Sequence, residues 1–373
     1  MSKSPYNSSE NLSDKLKSGE ISRRDFLKYC ATMAGILALE STMVPKIAHA
    51  LETGKRPPVI WLEFQDCAGC SESFLRATRP TVEKIILDTL SLDYHETLMA
   101  AAGYLAEEAK EKTIKQGQYL LIVEGSIPTG EGGVYCAVGG KSAVDLLREA
   151  AGNAVAVIAV GNCASFGGLP KAAPNPTGAV GVMDLVKDKP IINLPGCPVN
   201  AVNITATIVH YLTFKKLPKV DHLKRPLFAY GHRIHDNCER RAHFDRGEFV
   251  RKWGDEGHRS GWCLYQMGCK GPLTFANCPR VRWNEGTNWP VGAGHGCVSC
   301  TEKDFWELGV YNRANIPEFI PPATYPKVGR AKKEVPSSTN EILGGLIGAA
   351  VGGAAAIGLT KGFKRDTDKE DKA

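Results

Sequence analysis

Twelve cysteines in a chain of 373 residues constrain this protein more than any other feature. They are too numerous to be incidental and too widely spaced for a small disulfide-held scaffold. Some directly follow predicted strands, and others fall in a long segment with few predicted elements. Thiolates are soft ligands that select zinc, copper(I) and iron–sulfur clusters. We therefore expect the fold of this chain to be organised around its thiols.

The composition excludes several other classes of protein. Apolar residues make up 43% of the chain and charged residues 23%, which is an ordinary globular mixture. This excludes a disordered chain, a collagen-like fibre and a polytopic membrane protein. The net charge is +6 from 46 basic and 40 acidic residues, whereas a nucleic-acid binder normally shows a denser basic stripe.

The amino-terminal segment has the features of an export signal. Residues 1–20 are polar without a hydrophobic period, and we expect them to be disordered. The segment 22–28 reads Ser-Arg-Arg-Asp-Phe-Leu-Lys, an apolar run follows at 29–39, and Ala-His-Ala at 48–50 fits a cleavage site. This order predicts a twin-arginine signal peptide over residues 1–50, called the leader below, which is read by a pathway that exports folded proteins.

The carboxy-terminal segment has the features of a membrane anchor. Residues 342–360 carry no charge and a basic flank follows them. Nineteen helical residues span roughly 28 Å, about one bilayer core. We predict a linker at 331–341, a transmembrane helix at 342–360 and a cytoplasmic tail at 361–373, since basic flanks stay on the cytoplasmic side. A flexible linker is the alternative, because six of the 19 residues are Gly.

The segment 51–221 alternates strand and helix signals. Continuous apolar strands between helices indicate a parallel sheet covered on both faces, so we predict an α/β, flavodoxin-like doubly wound domain. Residues 222–330 lack long periodic segments and are predicted to form an irregular domain. The predicted strands are 59–64, 119–123, 154–160 and 190–194, and the predicted helices are 71–90, 142–151 and 199–212.

Four thiols follow the strands of the predicted sheet. Cys67 and Cys70 come after the first strand, Cys163 after the third and Cys197 after the fourth. Loops after parallel strands meet at the carboxyl edge of the sheet, so these thiols should converge on a four-iron cluster or a tetrahedral metal. A phosphate-binding loop formed by the glycines at 161–168 is the alternative, but no Lys follows them as one does in a P-loop.

The irregular segment carries a second series of ligands. One His and three Cys are sufficient for a four-ligand site, and three further Cys leave a three-ligand site. Zinc sites and disulfides are the alternatives for these residues. The two series are His235, Cys238, Cys263 and Cys269, then Cys278, Cys297 and Cys300. Two thiols remain: Cys30 belongs to the leader, and Cys136 has no partner spacing and is predicted to be structural.

These motifs together resemble the small subunit of nickel–iron hydrogenases over residues 57–320. The leader and the anchor are similar to those of the membrane-bound, periplasm-facing uptake group. The segments that carry the resemblance are Cys67-x-x-Cys70-Ser71-Glu72-Ser73, Gly161-Asn162-Cys163, Pro195-Gly196-Cys197-Pro198, His235-x-x-Cys238, Gly268-Cys269-Lys270-Gly271-Pro272, Asn277-Cys278-Pro279 and Cys297-x-x-Cys300.

The resemblance implies an electron relay for H2 oxidation, with no catalytic residue in this chain. It implies a proximal [4Fe–4S] cluster on Cys67, Cys70, Cys163 and Cys197, a medial [3Fe–4S] cluster on Cys278, Cys297 and Cys300, and a distal [4Fe–4S] cluster on His235, Cys238, Cys263 and Cys269. His235 would lie near the surface where electrons leave. The nickel–iron centre would belong to a separate large subunit.

The implied location is the periplasmic face of a bacterial inner membrane. The implied electron acceptor is a membrane cytochrome b, an integral quinone-reducing subunit or a periplasmic cytochrome c, and no nucleic acid is involved. Two rivals are an iron–sulfur subunit of a quinone-reducing complex without hydrogen chemistry and a disulfide-stapled, membrane-tethered binding protein.

Three positions refine the resemblance. Pro290 stands seven residues before Cys297, where related proteins with a fourth medial ligand have Cys, and this implies a three-iron cluster. Oxygen-tolerant members resemble this pattern but add two Cys near the proximal cluster, at the positions that Gly69 and Gly168 occupy here. We therefore expect an ordinary proximal cluster and an oxygen-sensitive enzyme.

Overall fold

The computed structural model describes residues 12–19, 21–54, 56–77, 90–284 and 286–308. The contacts of the described residues up to Phe244 and from Glu248 onward group into one larger unit. The predicted linker, anchor and tail lie outside the described residues. Among the helices that are described, none is long and apolar enough to cross a membrane.

A five-stranded parallel sheet forms the centre of the larger unit. The bounds of the five strands are β1 Pro58–Glu63, β2 Ser91–His95, β3 Tyr119–Glu124, β7 Ala154–Val160 and β9 Ile191–Leu194. They lie in the order β2-β1-β3-β7-β9, which is the order of flavodoxin-type doubly wound sheets. Every pairing is parallel, which confirms the predicted α/β class.

Short strands and helices complete the described part. The short strands are β4 Ile127–Pro128, β5 Ala137–Val138, β6 Lys141–Ser142 and β8 Ala179–Val180. Strand β4 pairs with β8, and β5 pairs with β6. The α-helices are α1 Leu12–Ser18, α2 Arg23–Ile36, α3 Val44–Thr53, α4 Gly69–Leu75, α5 Tyr104–Gln116, α6 Ala143–Gly152, α7 Gly161–Phe166, α8 Val182–Leu185, α9 Ala201–Phe214, α10 Leu227–Tyr230, α11 Arg241–Arg246, α12 Glu256–Arg259 and α13 Cys278–Val281.

The central strands are apolar throughout because both faces of the sheet are covered. Successive side chains of a strand point to opposite faces. Leu120 and Ile122 of β3 accordingly belong to one core cluster, whereas Leu121 and Val123 belong to another. All four are 1% exposed or less. The absence of polar alternation in β3 is therefore the signature of a sheet buried on both sides.

The leader folds as helices in the larger unit. Residues 12–18 form α1, so the expectation of disorder was wrong for these residues. Apolar side chains of α2 and α3 join the core cluster on one side of the sheet. The predicted cleavage site at 48–50 lies inside α3. The described part of the leader is thus mainly helical.

The region 227–308 is irregular, as predicted. Its longest helix, α11, has six residues, and the other described elements are single turns of α- or 3₁₀-helix. Buried side chains such as Val250, Leu264 and Trp289 pack into the same core cluster as one face of the sheet. Short elements of this kind bury little surface by themselves, so other interactions have to hold this region.

Candidate metal centres

Four thiols meet at the carboxyl edge of the sheet. Cys67 and Cys70 follow β1, Cys163 lies in α7 directly after β7, and Cys197 follows β9. Burial raises the pKa of the Cys163 thiol to about 12, and the nearby thiols Cys197 and Cys67 raise it further. Burial also raises the pKa of Cys70, whose neighbours include Cys163 and Cys197. The structure therefore brings the four predicted ligands into one electrostatically coupled group.

Glycines leave space around these thiols. Gly168 has a φ of +58°, and a Cβ built on it would lie 2.5 Å from Cys163 Sγ. A Cβ on Gly69 would lie 3.1 Å from Cys67 Sγ, and one on Gly161 would overlap Cys70 Sγ. Any larger residue at Gly161 or Gly168 would press on a thiol and would require a backbone that L-residues rarely adopt. The surroundings of this group suit a bulky cofactor approached closely by backbone.

A buried network of polar side chains binds the backbone of Cys70. Glu124 accepts hydrogen bonds at Oε1 from the backbone amides of Cys70 and Ser71, at 2.9 Å and 3.2 Å. The Ser71 hydroxyl lies 2.6 Å from Glu124 Oε2 and 3.1 Å from Glu63 Oε1. His95 Nε2 lies 3.3 Å from the same hydroxyl. This network fixes the first turn of α4, where Cys70 lies.

The network contains groups with displaced pKa values. Burial raises the pKa of Glu63 to about 7, and the charge of Glu124 adds to this effect. Burial lowers the pKa of His95 to about 4. Carboxylate oxygens of Glu63, Asp66 and Glu124 lie within 4.8 Å of one another. Sequence reasoning missed these residues, although Glu63 and Glu124 end two apolar strands that otherwise lack charge.

Four further predicted ligands line one small cavity. They are His235, Cys238, Cys263 and Cys269. Burial raises the pKa of the Cys238 thiol to about 11, and the neighbouring Cys269 contributes. His235 is only 6% exposed, and the ring of Phe244 packs edge-on against its imidazole at a centroid distance of 4.4 Å. The imidazole was expected near the exit surface, but an aromatic ring covers it in this chain.

The remaining three predicted ligands line a cleft of about 450 Å³. Burial raises the pKa of Cys278 to about 12 and that of Cys300 to about 12. Burial likewise raises the pKa of Cys297, and Cys269 and Cys300 lie close enough to add to it. Pro290 lines the same cleft. The residue that replaces a fourth thiol therefore stands at the cleft itself.

Short contacts connect the three groups in series. The Cys297 amide donates to Cys269 Sγ at 3.2 Å, which joins the third group to the second. Cys197 of the first group lines the same cleft as the three thiols of the third group, and the side chain of Asn162, next to Cys163, donates to the Cys300 carbonyl at 2.9 Å. The three-thiol group thus adjoins both of the other groups.

Two thiols lie outside these groups. Cys30 is fully buried among the leader helices, and Cys136 is half-buried beside β5. All twelve cysteines fall within the described residues, and each carries a free thiol. The disulfide alternative therefore has no support in the folded chain, and all eleven predicted ligand side chains stay available.

Relatives of known function decide the family. The chain is 46% identical over 364 residues to the uptake hydrogenase small subunit of Azotobacter vinelandii, covering 96% of this chain and 99% of the relative. The chain belongs to the nickel–iron hydrogenase small-subunit family. It is also 50% identical over 291 residues to the small chain of the quinone-reactive Ni/Fe-hydrogenase of Wolinella succinogenes, covering 77% of this chain and 82% of that one.

Family models and a solved structure agree with this hydrogenase assignment. Residues 230–311 match the model of the carboxy-terminal region of NiFe/NiFeSe hydrogenase small subunits, and residues 67–211 match that of the 20 kDa subunit of NADH ubiquinone oxidoreductase. The structure of a reduced, active Ni-Fe-Se hydrogenase from Desulfomicrobium baculatum is similar with a TM-score of 0.66 and 35% identity, covering 69% of this chain and all of that chain.

The hydrogenase small subunit is an iron–sulfur electron-transfer protein that works with a large subunit. Residues 67–211 match a subunit of a respiratory complex. The first domain alone would therefore not distinguish a hydrogenase small subunit from an iron–sulfur subunit without hydrogen chemistry. The match of 230–311 lies in the irregular region and decides for the hydrogenase. This region also holds seven of the eleven predicted ligands.

Proposed function

We propose that this chain relays electrons from the large subunit through three clusters in the order proximal, medial, distal, and that the enzyme delivers them to a membrane partner. The single observation that supports this proposal most strongly is that the three-thiol group adjoins both of the others, through the Cys297 amide on Cys269 Sγ and through the cleft that it shares with Cys197. The clusters supply one-electron redox chemistry when they are bound. The chain's own residues provide ligands, spacing and exclusion of water.

The proximal [4Fe–4S] cluster is assigned to Cys67, Cys70, Cys163 and Cys197. Cys67 and Cys197 are exposed thiols, so a partner has to cover this end of the relay. An exposed cluster edge next to a partner suits the entry of electrons from the large subunit. The glycine positions around the thiols support a cofactor of cluster size, because side chains there would fill the space.

The medial [3Fe–4S] cluster is assigned to Cys278, Cys297 and Cys300. Pro290 in the same cleft has no ligand atom, which supports three irons rather than four. The Thr274 hydroxyl lies 3.6 Å from Cys297 Sγ, and the Ser299 amide lies 3.4 Å from the same sulfur. Hydrogen bonds to ligand sulfurs raise cluster potentials, so these groups tune the medial site.

The distal [4Fe–4S] cluster is assigned to His235, Cys238, Cys263 and Cys269. A neutral imidazole in place of a thiolate lowers the negative charge of a site. Phe244, in contact with His235, also contacts Phe249 and Tyr265 at 5.8 Å and 5.5 Å between ring centroids. These rings cover the imidazole, and we place the exit of electrons on this side of the chain.

Burial favours the protonated form of three unloaded ligand thiols of this chain. Burial raises the pKa of Cys163, Cys278 and Cys300 to about 12 each. Iron binds thiolate, so cluster assembly has to displace these protons. Assembly is therefore favoured by alkaline pH and opposed by acid. The same burial protects a loaded cluster from water.

The expectation of oxygen sensitivity rests on Gly69 and Gly168, which stand where oxygen-tolerant members have additional cysteines, and the loop that holds Cys163 supports it. A Cβ on Gly168 would lie 2.6 Å from Cys163 Cα, so the backbone accepts no additional thiol here without moving. An ordinary proximal cluster on four cysteines is the form that fits this loop. We expect the enzyme to be inactivated by air and to recover slowly under H2. Recovery in air at the rate of oxygen-tolerant enzymes would contradict this expectation.

We also propose a location and a set of domains. The leader at 1–50 directs folded export, 51–221 and 222–330 form the two cluster-bearing bodies, and 342–360 anchors the chain with its body on the periplasmic side. The quinone-reactive name of the Wolinella relative supports a membrane acceptor, either a cytochrome b or an integral quinone-reducing subunit. A periplasmic cytochrome c is the alternative acceptor.

The relay is tested with one ligand variant of the heterodimer. Cys300→Ser should lower H2-driven reduction of a viologen dye at least about tenfold, because electrons no longer pass the medial site. Exchange of D2 with protons occurs at the large subunit and should remain. Cys136→Ser, which removes a thiol outside the relay, should change neither activity. Equal loss of exchange and dye reduction in Cys300→Ser would contradict a relay role.

A further inference from the structure

The leader is packed against the folded body through its apolar face. Within α2, Phe26 is 6% exposed, Cys30 is fully buried and Met33 is 2% exposed, while Ile47 of α3 is fully buried. The twin arginines at 23–24 are exposed. The leader therefore buries one face of its apolar run and presents its charged motif to solvent.

Helix α9 provides the surface on which the leader lies. The Nζ atom of Lys46 in α3 lies 4.9 Å from the ring centroid of Phe214 at the end of α9. At the other end of α9, a cavity of about 300 Å³ separates the two partners. Residues lining it include Thr32, Met33 and Ile36 from α2 and Ala201, Val202 and Thr205 from α9. The leader thus touches the carboxyl end of α9 and faces its amino end across the cavity.

The same packing closes the expected cleavage site. Ala48 is 7% exposed and Leu51 is 6% exposed, and α3 continues through both without a break. Proteins that capture peptide segments commonly bind them as added strands, and a buried helix cannot present its backbone in that way. Both ends of α3 would have to leave the body before residues 48–51 could be extended.

We propose that the face of α9 covered by α2 and α3 is a docking surface for the uncleaved leader, and that this contact holds the precursor closed to export and processing. The proposal rests on the leader assignment made above. In the closed state one face of the apolar run is buried, and Ala48 of the cleavage site is buried within a helix. Undocking the leader exposes both at once, so a single step controls recognition and cleavage.

Cys30 provides a probe of this state. Burial raises the pKa of its thiol to about 12, so the docked leader keeps it protonated and shielded. In the full-length precursor, carrying its clusters, peptide mapping after alkylation reports Cys30 separately from the ligand thiols. We expect Cys30 to react at least about tenfold more slowly than in the same chain after denaturation, since reaction requires local opening.

A matched pair of variants tests the contact from the leader side. Ala34 is 2% exposed and Ala31 is exposed, and both lie in the apolar run of α2. Ala34→Asp should raise the alkylation rate of Cys30 at least about tenfold because it places a charge in the contact. Ala31→Asp adds the same charge to the same run and should leave the rate unchanged.

A variant of the body tests the contact without altering the leader. Val202 is half-buried and lines the cavity facing α2, and Val202→Glu should raise both Cys30 labelling and the rate of leader removal in cells. Three results would overturn the proposal: rapid labelling of Cys30 in the unaltered precursor, equal labelling in the two α2 variants, or unchanged labelling in Val202→Glu. None of these experiments measures hydrogenase activity. Their results therefore do not depend on whether the relay assignment is correct.

Discussion

The sheet region and the irregular region of this protein are held together by different means. The described residues between 58 and 214 include long apolar strands and helices whose side chains are buried on both faces of a sheet. Residues 227–308 have no helix longer than six residues among those described, and seven predicted cluster ligands lie there. The first region is stabilised by hydrophobic packing, and we propose that the second depends also on cluster ligands that tie its short segments together.

The comparison teaches where each kind of sequence signal is reliable. Apolar periodicity predicts structure that is stabilised by packing, because burial and period have the same cause. Ligand spacing predicts structure that is stabilised by a cofactor, because the thiols have to meet at one point. The four predictions that follow separate these two sources of stability, beginning with the largest expected effect.

Removal of iron should affect the two regions very differently. We expect chelation under reducing conditions to abolish hydrogen-exchange protection in 227–308, because its ligands no longer share a cofactor. Amides of β3 and β7 should stay protected, because the sheet retains its core. Exchange measured by mass spectrometry on the treated protein gives both readings at once. Simultaneous loss of protection in both regions would show that the sheet also depends on iron.

A cavity in the sheet should produce the reverse pattern. Leu121 is fully buried, and Leu121→Ala should lower the free energy of unfolding by about 2–5 kcal/mol. Iron content at low temperature should be unchanged, because no ligand is touched. Leu273→Ala is the matched control, since this leucine is 45% exposed. A thermal unfolding series measures both, and an equal effect in the two variants would contradict the difference in burial.

The carboxyl of Glu63 should make the sheet region sensitive to pH. Its folded pKa is raised to about 7 from 4.5, so the folded state binds the proton more tightly and loses stability as pH rises through this window. Glu63→Gln removes that loss and should stabilise the protein by about 1–3 kcal/mol at pH 8, with little gain at pH 4.5.

His95 is the control for this titration. Its folded pKa is lowered to about 4 from 6.5, so its contribution is present above pH 6.5 and is lost as pH falls toward 4. At pH 8 His95 is uncharged in both proteins, so the difference between their melting temperatures at that pH reports Glu63. A gain from Glu63→Gln that is the same at pH 4.5 and pH 8 would show that charge is not its cause.

The smallest effect is expected for an exposed ion pair. Arg76 and Glu72 lie 2.6 Å apart on α4, with side chains 64% and 57% exposed. Arg76→Ala should change the free energy of unfolding by less than about 1 kcal/mol, because solvent screens such pairs. The shift should shrink further in high salt. A larger, salt-independent loss in calorimetry would assign Arg76 a packing role.

Much of the fold could be predicted because its signals were local. Strand β7 has the predicted bounds 154–160, and β3 differs by one residue. Strand β2 was missed because Ser91, Asp93 and His95 interrupt its apolar pattern. Helix α5 was missed because it is rich in Lys and Glu. Its Lys110 is nevertheless buried, where it pairs with Glu107 at 2.6 Å.

The candidate site, like the fold, could be predicted only in part from the sequence. Cysteine spacing predicts the ligand groups, because thiols are rare and their chemistry is narrow. The network of Glu63, Ser71, His95 and Glu124 could not be predicted, because it joins four elements that meet only in the folded sheet. The packing of the leader on α9 is hidden for the same reason. Its apolar run predicts an export signal but not a partner surface.

Iron content together with EPR of the complex purified from membranes tests the central claim most directly. Three ligand groups with Pro290 at the middle one predict about twelve irons in the complex, about eleven in the clusters of this protein and one in the nickel–iron centre, and a signal from an oxidised three-iron cluster. About thirteen irons without that signal would contradict the medial assignment and place a four-iron cluster beside Pro290. An intact complex with no iron would contradict the relay itself.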